Sequence, residues 1–115
     1  MAILQDFVFF DETSTSGTSN PFRLPYDTSA LTVQVDGISA GNTATITFYG
    51  TTETADSPTA WEALSVINNA GYDVSDTMTG NGIYSIGGAG IRQIRAVAQA
   101  ALVGTAKVHA VAVNG

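Results

Sequence analysis

Apolar and polar residues alternate with a period of two in two stretches of the chain. From Ala30 to Asp36, Leu31, Val33 and Val35 alternate with Thr32, Gln34 and Asp36. From Thr43 to Tyr49, Ala44, Ile46 and Phe48 alternate with Thr43, Thr45, Thr47 and Tyr49. A period of two puts each apolar set on one face of an extended segment, so both stretches are expected to be half-buried strands. Asp36-Gly37 and Gly41-Asn42 bracket the connection with turn-forming residues. Together they predict an antiparallel hairpin with one core face and one Thr-rich face turned to solvent or a partner.

The first ten residues carry Ile3, Leu4, Phe7, Val8, Phe9 and Phe10, with apolar side chains on both parities. That pattern suits either a strand of the same domain covered on both faces or an arm laid against a partner. Residues 11–21 are polar and rich in Ser, Thr, Gly and Asn, and read as a loop. Residues 1–21 are accordingly expected to form an N-terminal arm followed by a flexible loop. Phe22 to Tyr26 is short and extended, and Pro25 keeps it off a central strand position.

Gly50 to Thr59 reads as a loop, Trp61 to Ile67 as a strand and Asn68-Asn69-Ala70-Gly71 as a turn. Asp73 to Asn81 is polar and irregular. Ile83 to Ile86 is a short strand, and Gly87-Gly88-Ala89-Gly90 a tight turn. Residues 91–102 fit two periods. Ile91, Ile94, Ala98, Ala101 and Leu102 form a helical stripe, whereas Ile94, Ala96, Ala98, Ala100 and Leu102 alternate strictly. Strand is preferred, because Ala106, Val108, Ala110 and Ala112 repeat the same alternation further on. Short strands punctuated by glycine predict an all-β fold, an antiparallel β-sandwich or jelly roll, in a single domain over residues 1–115.

Composition narrows the function. The 115 residues include no cysteine, so disulfides and thiolate metal sites are excluded. Charged residues make up only 12%, with ten acidic against four basic and a net charge of −6. Such a chain has no basic footprint for nucleic acid or for an anionic membrane. Ile94 to Val113, interrupted by Gln99, Gly104, Lys107 and His109, is not expected to cross a membrane as a helix. Gln5 and Asp6 sit where a signal peptide would be apolar, so no targeting segment is expected.

Few residues could carry chemistry. His109 is the sole histidine, on the polar parity of the last strand, with no second histidine or cysteine to complete a metal site. The serines lie in no Gly-x-Ser-x-Gly elbow. Asp73, Asp76 and Asn81 could ligate Ca²⁺, but their spacing matches no calcium loop. Glu62 with Glu53 or Asp56 could serve as a glycosidase pair, although nothing in the sequence pairs them. Gly87 to Gly90 lacks the Lys-Ser/Thr that follows a phosphate loop. No catalytic residue, metal or cofactor is therefore assigned, and the chain is not expected to be an enzyme. Trp61, with Tyr26, Tyr49, Tyr72 and Tyr84, could instead stack sugars; Trp61, Tyr49 and Tyr84 are the candidate ligand-stacking set. Arg92 and Arg95, in an apolar stretch, are expected either to pair with Asp36, Glu62 or Asp73 or to anchor a subunit interface. Phe7, Phe9 and Phe10 are further interface candidates.

The succession Trp61-x-x-Leu64, Gly82-Ile83-Tyr84, Gly90-Ile91-x-x-Ile94-Arg95, a Gly104-Thr105 turn and a Val-rich final strand resembles small β-sandwich proteins of tailed-phage virions. The resemblance covers residues 31–113 and rests on folding residues, not on chemistry. It implies a non-enzymatic structural protein located in the virion: a capsid decoration, or cement, protein that binds and stabilises the particle. The implied partners are other virion proteins, the major capsid protein first, and further copies in a homo-oligomer. The alternative is a carbohydrate- or receptor-binding module of a phage tail.

Overall fold

The computed structural model describes residues 2–13, 17–38, 45–71, 74–75, 77–78, 81–98 and 104–114. They form two facing antiparallel sheets. The first contains β1 (Ala2–Thr13), β4 (Ala30–Ile38), β7 (Val66–Asn68), β8 (Val74–Ser75), β10 (Gly82–Gly87) and β12 (Gly104–Asn114), in the order β1-β12-β4-β10-β7-β8. The second contains β2 (Gly17–Thr18), β5 (Ile46–Thr51), β6 (Glu62–Ala63) and β11 (Gln93–Ala98) in the order β2-β11-β5-β6. β3 (Phe22–Arg23) also pairs with β11, and β9 (Thr77–Met78) with β5. The chain is an all-β sandwich, as the alternating pattern predicts.

The core fills the space between the sheets. Leu31, Val33 and Val35 of β4 and Val108, Ala110 and Ala112 of β12 are buried on the first sheet. Ile46 and Phe48 of β5 and Ile94, Ala96 and Ala98 of β11 are buried on the second. The alanines make room for rings. Ala96 lies opposite Phe48 and Ala110 opposite Phe7, a small-against-large match that fills a core without voids. Phe9 meets Phe48 edge-on with centroids 5.2 Å apart, and Phe7 stacks on Phe22 at 4.8 Å.

The N-terminal segment joins this arrangement as an edge strand. β1 pairs with β12 from Ala2↔Asn114 to Thr13↔Ala106, with register irregularities between Ile3 and Gln5, Val8 and Phe10, and Phe10 and Thr13. Each irregularity resets the two-residue alternation. That is the physical reason apolar residues appear on both parities here. Phe9 is 6% exposed, and Phe7 and Phe10 pack against the same core.

Several local expectations need correction. β4 and β5 are not a hairpin: β4 lies between β12 and β10 in the first sheet, and β5 between β11 and β6 in the second. Alternation specifies the buried face but not the neighbouring strand, and two apolar faces can meet across a sandwich as well as side by side. Nor does the turn begin at Asp36-Gly37, since β4 runs on to Ile38. Gly37, at φ 78°, adopts the left-handed backbone where the register with β12 slips. On the Thr-rich face of β5, Thr45 and Tyr49 are partly exposed, Thr43 lies outside the described residues, and Thr47 is closed off. Thr47 is 4% exposed because it is flanked by Val97 of β11 and Thr77 of β9.

Trp61 to Ile67 is two short strands in different sheets, β6 and β7, with the crossing at Leu64 and Ser65. Leu64 donates its N–H to the Phe48 carbonyl at 2.8 Å and caps Gly50. Short strands β8 and β9 occur within Asp73 to Asn81. β12 already begins at Gly104, where a turn is expected from the sequence. Within residues 91–102 the strand alternative holds over Gln93–Ala98; residues 99–103 lie outside the described residues. Tyr72, Asp73 and Asp76 also lie outside them.

The loop after β5 is fastened to the second sheet by polar side chains. Gln93, 1% exposed, donates through Nε2 to the carbonyls of Glu53 at 3.0 Å and Ala55 at 2.8 Å. The Glu53 carboxylate accepts the N–H groups of Ala60 at 2.7 Å and Thr59 at 2.9 Å. These hydrogen bonds, that of Ala60 foremost, hold the Glu53 carboxyl below the ordinary glutamate range.

Two outcomes are expected. Phe9→Ala removes the ring that joins the sheets at their β1 side and should cost about 3–5 kcal/mol, read from the denaturant midpoint at constant slope. Glu53 has a folded-state pKa below its unfolded value. Its contribution is therefore complete above the ordinary pKa of 4.5 and is lost as pH falls through the folded value. Thermal melts of wild type and Glu53→Gln should differ most at neutral pH and converge in acid; a constant gap across the range would refute this role.

Candidate functional site

The outer face of the second sheet carries the most distinctive chemistry of the molecule. Strand register sets it out: Gln93 lies opposite Thr51, Arg95 opposite Tyr49 and Val97 opposite Thr47. All six share the parity facing away from the core, because Ile94, Ala96 and Ala98 face inward. The fastened loop then delivers Trp61 onto this face. Trp61 donates its Nε1–H to the Pro58 carbonyl at 3.1 Å, which fixes the indole edge. Its ring lies over the Arg95 guanidinium, 4.3 Å from centroid to Cζ. The contact is electrostatic, between a cation and the negative face of the ring.

Arg92, immediately before β11, makes a second contact of the same kind. Its guanidinium sits 4.7 Å from the ring centroid of Tyr26, a residue 82% exposed. Leu24 donates its N–H to the Arg92 carbonyl at 2.9 Å, which brings the β3 segment and Tyr26 to the start of β11. Arg23, opposite Gln93, contacts Asp56 at 2.6 Å through Nη2 and donates through Nη1 to the Thr54 carbonyl at 2.9 Å. Arg92 and Arg95 thus lie beneath aromatic rings, and among the described residues neither pairs with Asp36 or Glu62. Arg92 Nη1 and Arg95 Nε are buried without a hydrogen-bond partner.

Two cavities border this face. One, of about 310 Å³, is lined by Gly50, Thr51, Glu53, Glu62, Leu64 and Ile91 among others. The other, of about 150 Å³, is lined by Arg23, Leu24, Tyr26, Thr54 and Arg92.

The candidate stacking residues are not brought together. Trp61 and Tyr49 belong to the second sheet, whereas Tyr84 lies in β10 of the first, opposite Val33, with only 6% of its surface exposed. Burial pushes the Tyr84 phenol above its ordinary pKa. Phe9 lies within the core, and Phe7 and Phe10 are partly buried and packed against it. His109 sits on β12 between Val8 and Gln34, facing outward from the first sheet. Among the described residues, no three of His, Asp and Glu converge as metal ligands, and no helix is long and apolar enough to cross a membrane. The sequence does not mark Tyr26 as the ring over Arg92, or Arg23 as sharing a cavity with it. Their one signal is scarcity, since four basic residues in an acidic chain are worth locating individually.

The first sheet presents a different outer face. Val8 and Ile83 are each 46% exposed, Ile67 39% and Val74 66%. Register places Ile67 between Ser85 and Val74, and Ile83 beside Gln34. These aliphatic side chains share the face with Thr32, Gln34, Ser85 and His109 and with the charged Asp6, Asp36 and Lys107.

No protein-family model matches the chain, and none of the curated proteins matches it in sequence. Its fold is similar to solved structures of two phage-derived proteins. One is the SPBc2 prophage-derived protein YomS, at TM-score 0.78 and 19% identity over 97% of each chain. The other is the PBSX exported protein XepA, at TM-score 0.80 and 16% identity. That likeness covers 94% of this chain but 37% of XepA, so the sandwich spans little more than a third of XepA's length. At these identities the likeness is one of fold.

Proposed function

We propose that the chain is a non-enzymatic accessory protein of a phage particle. In this proposal it works as a capsid decoration protein, docked as a homo-oligomer on the major capsid protein and located in the virion. The observation that carries it is the end-to-end likeness to the SPBc2 prophage protein YomS, 97% of each chain. Surface chemistry supports it. One outer face offers exposed Val8, Ile67, Val74 and Ile83, the other arginine–aromatic stacks. Exposed aliphatic clusters and arginine are typical of surfaces that bind proteins. The alternative is a carbohydrate- or receptor-binding module of a phage tail; its carbohydrate form has less support, since Tyr84 is buried away from Trp61 and Tyr49 and one Trp61 face is taken by Arg95.

The test separates capsids and tails of the phage encoding the chain and mixes each with purified protein. Co-sedimentation with capsids to saturation is expected; retention by tails alone, or glycan binding in place of particle binding, would overturn the proposal. Trp61→Ala should cost about 0.5–2 kcal/mol in unfolding free energy, as for a lost cation–π contact, read from the denaturant midpoint. Loss of a glycan affinity in that variant would favour the carbohydrate module.

A further inference from the structure

We infer that the cavity between Arg23 and Arg92 is a binding site for a carboxylate, supplied by an acidic side chain or a chain terminus of a partner protein. The inference does not depend on the proposed role in a particle. Three observations converge on it. First, the chain has four basic residues and a net charge of −6, yet two of its three arginines line one cavity of about 150 Å³. That is room for a small anionic group, given that a water occupies about 30 Å³.

Second, Arg92 Nη1 is buried and makes no hydrogen bond. A buried guanidinium N–H without an acceptor is costly, and the ring of Tyr26 offers a π face but no lone pair in its place. A carboxylate is the planar, two-oxygen acceptor that a guanidinium fork matches. Third, the groups now covering the site are loosely held. Tyr26 is 82% exposed, so its ring can turn aside with little loss of buried area. The Asp56 carboxylate on Arg23 is fully exposed. Solvent screens such a pair and makes it weak. Asp56 thus holds Arg23, one of the residues lining the cavity, as a displaceable internal carboxylate. Asp56 and the incoming group compete for Arg23, while Arg92 is left for the incoming group alone.

The experiment follows the Arg23 and Arg92 side-chain Nε–H resonances of the full chain by NMR. The probes are N-acetylglutamate amide, N-acetylglycine and N-acetylglutamine amide, at constant ionic strength set with sodium chloride. Saturable shifts of both arginines are expected with a carboxylate probe and not with the glutamine amide. A response to N-acetylglutamate amide alone identifies a side-chain carboxylate as the ligand, and one to N-acetylglycine alone a chain terminus. Asp56→Asn should tighten binding by up to about fivefold, the most that so exposed a pair commonly contributes. Arg92→Lys should abolish it while the backbone spectrum stays folded. Equal shifts with the glutamine amide, shifts with neither carboxylate, or an unchanged affinity in Arg92→Lys would overturn the inference.

Discussion

The two sheets depend on a small set of aromatic rings that belong to neither sheet alone. Phe7 and Phe9 come from the edge strand β1, Phe22 from β3 and Phe48 from β5. Their centroids are 4.8–6.3 Å apart, in one stacked and three edge-to-face pairs. β3 has only two residues and one pairing, with β11. Backbone hydrogen bonds could not hold so short a strand in water. What holds it is Phe22, 1% exposed and in contact with rings from the opposite sheet. Once Phe22 is fixed, Arg23, Leu24 and Tyr26 are placed beside Arg92. The polar face outside the second sheet therefore inherits its geometry from the aromatic core inside it.

The outer faces differ because the few charges are unevenly distributed. All three arginines are carried by β3 or β11 and their flanks, while β12 carries the single lysine, opposite Asp36. A guanidinium is weakly hydrated and planar, so an aromatic ring can cover it at modest cost. Lysine would lose more hydration under the same ring. The second sheet can therefore press its arginines beneath Trp61 and Tyr26 without burying a carboxylate for each. The one ion pair among these residues, Arg23–Asp56, lies at the solvent edge.

Face was legible in the sequence where alternation was clean, but partnership was not. Leu31, Val33 and Val35 point into the core as their period demands, and so do Ile46 and Phe48. Yet the segments belong to opposite sheets, because pairing is decided by contacts distant in sequence. β4 takes its neighbours from residues 104–113 and 82–87. For residues 93–98 the helical and extended patterns both fit the apolar positions. Tertiary pairing decides: β11 is hydrogen-bonded on one side to β5 and on the other to β2 and β3. The arginine–aromatic contacts left no local trace. Arg92 and Tyr26 are 66 positions apart, and Arg95 and Trp61 34 apart, by subtraction of their numbers in the sequence. No short-range rule joins residues at such separations.

The N-terminal strand shows how one feature can satisfy two demands. An edge strand exposes unpaired N–H and C=O groups that invite pairing with another chain. β1 has three register irregularities over its length and carries Asp6 and Asp11. Bulges and charges are means by which an edge resists such pairing. The same bulges turn both Phe9 and Phe10 toward the core, although they are adjacent in sequence. A regular strand would have left one of the two rings in solvent. Edge protection and ring burial thus arise from the same backbone irregularity. Contacts to other molecules are then better served by the outer faces, where side chains rather than free backbone are on offer.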